Sequence, residues 1–98
     1  MNISEMCKKS HETALQKGWW ADGRGMAETV MMIVVELSEA IQEHRKHGEI
    51  NDKFKEEIAD VFIRLADLCE SYNINIEEEI ERKMVINEKR SYKHGKRY

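Results

Sequence analysis

Apolar residues along this chain recur at intervals of three and four, and no stretch alternates as a half-buried strand would. Proline is absent, so nothing breaks the helical pattern from within. The spacing predicts four helices and no internal repeat. The first covers about Ser4 to Lys17, with Ile3, Cys7, His11 and Ala14 on one weakly apolar face. A glycine-punctuated loop, GWWADGRG, follows and carries both tryptophans. The second helix runs from about Ala27 to His47, with Gly48 as its stop. The third takes Asn51 or Asp52 as its cap and reaches about Tyr72. The fourth starts at Asn75, which forms a capping-box-like pair with Glu78, and ends at Lys89 or Arg90. The expected fold is all-α, a four-helix bundle forming a single domain over residues 1–98.

The second helix carries an apparent contradiction. Residues 30–35 are apolar without a break, and then Glu36 and Glu39 appear one turn apart. On a wheel of about 100° per residue, Val30, Ile33, Val34, Leu37, Ala40, Ile41 and His44 form a stripe. Glu36, Glu39 and Glu43 line one border of it, while Met31 and Val35 fall on the far side. A helix apolar nearly all round is buried on two faces, and in so short a chain the second face is expected to meet another subunit. The third helix repeats the layout. Its stripe is Phe54, Ile58, Val61, Phe62, Leu65, Leu68, Cys69 and Tyr72, with Glu57 and Asp60 on the border and Arg64 and Asp67 extending that line. Helices joined by a short loop pack antiparallel, and for one hand of packing the carboxylates of Glu36, Glu39, Glu57 and Asp60 meet in one groove.

Composition narrows the class. With 41% hydrophobic and 36% charged residues, the chain is expected to fold and to be highly soluble. A net charge of −3 gives no reason to expect nucleic acid or a membrane as partner. The longest apolar run is far shorter than the roughly 20 residues of a membrane span, and Met1 leads into polar residues without a signal-type stretch, so a cytoplasmic location is expected. Cys7 and Cys69 have no metal-type spacing and predict no disulfide framework. Basic residues crowd a C-terminal tail of about 90–98, read as a solvated terminus or as a binding element for an anion.

Four carboxylates in one groove repel one another. They protonate, pair with basic residues, or hold a cation. An all-oxygen donor set suits a hard divalent ion, Mg²⁺ or Mn²⁺, and Mg²⁺ commonly takes substrate phosphates as further ligands. Among 19 acidic residues a single Glu-x-x-Glu pair carries little weight, and Glu78 with Glu81 reads as solvated surface. Repetition at matching edges of consecutive helices carries more. A di-iron site is not expected, because no histidine has a glutamate three positions before it. On the fourth helix Ile76, Ile80, Lys83, Asn87 and Arg90 share a line that turns basic at its end. Either Lys83 snorkels to water, or Lys83, Asn87 and Arg90 are phosphate donors facing the groove.

Glu36-x-x-Glu39 followed by Glu57-x-x-Asp60 resembles the paired motif of the MazG-like all-α nucleoside triphosphate pyrophosphohydrolases. The segments HETALQKGWW, VVELSEAIQEHRKHG, FKEEIADVFIRLADL and KMVINEKRSYKHGKRY resemble that family in order and spacing over nearly the whole chain. The resemblance implies a helical bundle assembling as a homodimer, or as a homotetramer built from two dimers. It implies Mg²⁺ held by Glu36, Glu39, Glu57 and Asp60, and a nucleoside triphosphate bound through Lys83, Asn87 and Arg90. The implied reaction is hydrolysis between the α and β phosphates to a nucleoside monophosphate and pyrophosphate, serving nucleotide-pool clearance. Glu39 or Glu43 is then expected to polarise the attacking water. Trp19 or Trp20 would stack on the nucleobase or pack at a subunit interface, and the tail with His94 and Lys96 would close over substrate or merely dangle. The alternative is a non-catalytic nucleotide-sensing or oligomerisation module that keeps the acidic groove.

Overall fold

The computed structural model describes residues 1–90 together with Tyr92 and Arg97, so His94 and Lys96 lie outside the described residues. Among these there are four helices and no strand: α1 (Ile3–Gln16), α2 (Met26–His47), α3 (Asp52–Ser71) and α4 (Ile76–Glu88). The bounds match those expected from the sequence to within about two residues, the usual uncertainty of helix ends. The all-α reading holds.

The capping chemistry explains the agreement. Asn2, Asn51 and Asn75 each precede a helix, and each side-chain oxygen accepts the backbone N–H three positions on, from Glu5, Phe54 and Glu78. Asn75 Nδ2 also donates to the Glu78 carboxylate at 3.2 Å, completing a reciprocal pair. α2 stops at Gly48, whose left-handed φ of 69° lets its N–H return to the His44 carbonyl. α1 ends in a Schellman turn. Gly18, at φ 78°, donates to Leu15 O, and Trp19 N–H reaches back to Ala14 O at 3.1 Å. That turn fixes where the indole of Trp19 leaves the helix.

α3 is the central rod. α1 and α2 both lie along it, and α4 packs against α1. Both central pairings are antiparallel, as their contacts show. Glu43 meets Asn51 while Glu36 meets Arg64, and Cys7 clusters with Cys69 while His11 meets Asp67. The core is correspondingly divided. Cys7, Ala66 and Cys69 form one cluster, backed by Ile3, Met6 and Ile76. Ile33, Val61 and Leu68 form the other.

The packing face of α2 differs from the expected stripe. Thr29, Ile33, Glu36 and Ala40 are buried, whereas Val30, Val34, Leu37 and Ile41 are exposed. The small side chains of Thr29 and Ala40 allow close approach to α3, so the inward line is the slimmer one. The bulkier line, which dominates a hydrophobicity wheel, faces outward one position round. On α3, Phe62 at 58% exposure and Leu65 are likewise exposed, while Ala66 and Asp67 are buried. No large side chain among the described residues is fully buried. The radius of gyration, 16.0 Å, exceeds the roughly 13 Å of a compact 100-residue domain. No helix among the described residues is long and apolar enough to cross a membrane.

Candidate metal centre

Glu36 and Glu39 stand one turn apart on α2, and Glu57 comes from the second turn of α3. Antiparallel pairing brings them level. One carboxylate oxygen from each lies within 4.8 Å of the others. Ligand oxygens around Mg²⁺ at about 2.1 Å are about 3 Å apart when adjacent and about 4.2 Å apart when opposite, so small side-chain adjustments suffice. The donors are hard oxygens, and the site sits at the helix seam, where neighbouring turns limit its drift. These residues fit a hard divalent cation.

The cluster is asymmetric in its charge partners. Glu36 is 8% exposed and accepts Arg64 Nε at Oε1, 2.9 Å away. Glu57 is 5% exposed and pairs with Lys53 Nζ at 3.1 Å, one turn earlier on α3. Glu39 is exposed and has no ion pair among the described residues. Their protonation follows. Hydrogen bonding with Glu57, then the charge of Glu36, raises the Glu39 pKa above its ordinary value. The hydrogen bond from Lys53 lowers that of Glu57, and Glu57 in turn raises that of Lys53.

No family model, curated protein or solved structure matches this chain. The functional reading therefore rests on the residues and their geometry.

The other candidate residues are dispersed. Asp60 is exposed, one turn beyond Glu57, and is not part of the three-carboxylate group. Glu43 lies further along α2, where it accepts Asn51 Nδ2 at 3.0 Å and faces His47 Nε2 at 3.2 Å. Lys83 and Asn87 are exposed on α4, the helix that packs against α1, and Arg90 is exposed just beyond its end. Trp20 is half-buried on the α1 side of α3. Its Nε1 donates to both oxygens of Asp67, at 3.0 and 3.1 Å, and its ring meets His11 and Tyr72 edge-on. Asp67, 5% exposed, also accepts His11 Nδ1 at 2.7 Å.

Two cations that bracket the cluster were not singled out by sequence reasoning. Lys53 was legible as the i, i+4 partner of Glu57. Arg64 was visible only as one basic residue on the acidic line of the third helix, and its partner lies 28 positions away on α2. Trp19 stacks on it, the guanidinium carbon standing 4.3 Å from the ring centroid. Neither Trp19 nor Arg64 has a local pattern that announces the other.

Proposed function

We propose that this chain is a Mg²⁺-dependent nucleoside triphosphate pyrophosphohydrolase of MazG-like type, with Mn²⁺ as a substitute ion. The carrying observation is the convergence of Glu36, Glu39 and Glu57 from two helices onto one locus. The order and spacing of the motifs along the chain support the same reading. Glu36 and Glu57, buried along the seam between α2 and α3, are suited to hold the ion in place. Bound there, Mg²⁺ would supply charge neutralisation on the phosphate chain. Glu39, exposed and with a raised pKa, is suited to take a proton from the attacking water. Asp60, one turn on, would complete the oxygen set after a side-chain rotation.

Assembly belongs to this reading. The outward line of Val30, Val34, Leu37 and Ile41, with Phe62 and Leu65 of α3, is the surface a second copy would cover in a homodimer or homotetramer. Lys83 and Asn87 lie on α4 and Arg90 just after it, whereas the acidic cluster is built from α2 and α3. A neighbouring copy is the natural route by which such donors reach a triphosphate. The proposed setting is the cytoplasm, with neither nucleic acid nor membrane as partner.

The dispersal of those donors favours a second reading, a module that binds nucleotide with Mg²⁺ and does no chemistry. A pyrophosphate-release screen across standard and modified nucleotides separates the two. The proposal requires Mg²⁺-dependent pyrophosphate release that disappears in Glu39→Gln and Glu57→Gln. Nucleotide binding by calorimetry without turnover on any substrate would move the assignment to the second reading.

A further inference from the structure

Arg64 lies where the acidic cluster meets the aromatic loop between α1 and α2. Its Nε is held by Glu36 and its face by Trp19. The side chain is only 17% exposed, so the guanidinium is fixed along one edge by a carboxylate and on one face by an indole. Trp19 is anchored in turn by the backbone bond that ends α1. Glu36, Arg64 and Trp19 thus form one continuous chain of contacts, running from the cluster into the loop.

Glu36 faces two claims. It belongs to the group of carboxylates able to hold a cation, and one of its oxygens is already taken by a tethered positive charge. A divalent ion at the same carboxylate would set two positive centres against each other in a partly buried seam. Lys53, the corresponding cation on Glu57, is 60% exposed and can turn into solvent at little cost. Arg64 cannot move without disturbing its stack on Trp19.

We propose that Arg64 is an internal counter-ion which a divalent cation displaces from Glu36, and that this displacement resets Trp19, transmitting the loading of the cluster to the loop. This rests on the reading of the cluster as a metal centre. The loop would then adopt its substrate-ready setting only when the ion is in place, and Trp19 would report that state.

The test combines tryptophan emission with Mg²⁺ calorimetry on the full chain, using Mg²⁺ alone as probe. Mg²⁺ is expected to change the emission of the parent protein but not that of Trp19→Phe, whose remaining indole is held by Asp67. Glu36→Ala, which removes the acceptor of Arg64 Nε, is expected to show the changed emission with no Mg²⁺ added. Arg64→Gln is expected to bind Mg²⁺ several-fold more tightly, the rival charge being gone. Mg²⁺ binding without an emission change, unaltered emission in Glu36→Ala, or weaker Mg²⁺ binding by Arg64→Gln each overturns the coupling and leaves the metal reading standing. Absence of Mg²⁺ binding in both the parent protein and Arg64→Gln overturns both.

Discussion

His11 Nδ1 and Asp67 Oδ1 are 2.7 Å apart, although 56 positions separate them in the chain. The same carboxylate receives the indole N–H of Trp20. One buried acid therefore ties α1, the loop after it and the central helix α3 together. Asp67→Ala leaves both partners without an acceptor in a half-buried setting, at an expected cost of about 2–4 kcal/mol. Asp67→Asn keeps one acceptor oxygen and is expected to cost less. Urea denaturation followed by tryptophan emission measures both, and equal stability of Asp67→Ala and the parent protein would refute the tie.

The acidic cluster gives a pH signature. In the unfolded chain Glu39 returns to its ordinary value of 4.5. Its folded pKa is raised, so the folded state binds more protons in the interval above 4.5. The stability it contributes therefore falls as pH rises through that interval. Glu39→Gln is expected to melt higher than the parent protein at neutral pH, with the advantage shrinking as pH is lowered toward about 4.5. Glu57 acts oppositely. Its lowered pKa makes its contribution complete above its ordinary value and lost as pH falls through the folded one. Melting temperatures of parent and Glu39→Gln across pH, without divalent ions, isolate the first effect.

Assembly is testable at the outward face of α2. Leu37 is exposed beside Val34 and Ile41. Light scattering of the parent protein is expected to give two or four times the 11.6 kDa chain mass. Leu37→Glu, which adds a charge to that face, is expected to shift the mass toward a single chain. A parent protein already at 11.6 kDa at high concentration would remove the assembly from the proposal.

Gly48 holds a left-handed φ of 69°, and a Cβ there would meet no atom within 4 Å. The cost of Gly48→Ala is therefore conformational alone, about 1 kcal/mol. The α2–α3 turn should survive with a lowered denaturation midpoint and unchanged helicity by circular dichroism.

The helices were legible because their ends are written locally. Asn2, Asn51 and Asn75 cap, Gly18 and Gly48 terminate, and each acts within four positions of itself. The meeting of Glu36, Glu39 and Glu57 was legible in part for a related reason: helical period plus a short loop leaves two hands of packing, and in one of them these edges adjoin. The inward face of α2 was not, because a wheel weighs hydrophobic bulk whereas close packing selects slim residues such as Thr29 and Ala40. Arg64 with Glu36, and Asp67 with His11 and Trp20, were also out of reach as pairs. Each joins side chains 28 or more positions apart, and nothing local marks the partner.

Glu36 shares its helical line with Thr29, Ile33 and Ala40, the residues that press α2 against α3. Scaffold and acid are thus inherited together. A change of side chain anywhere on that line shifts the carboxylate as well as the fit of the rods.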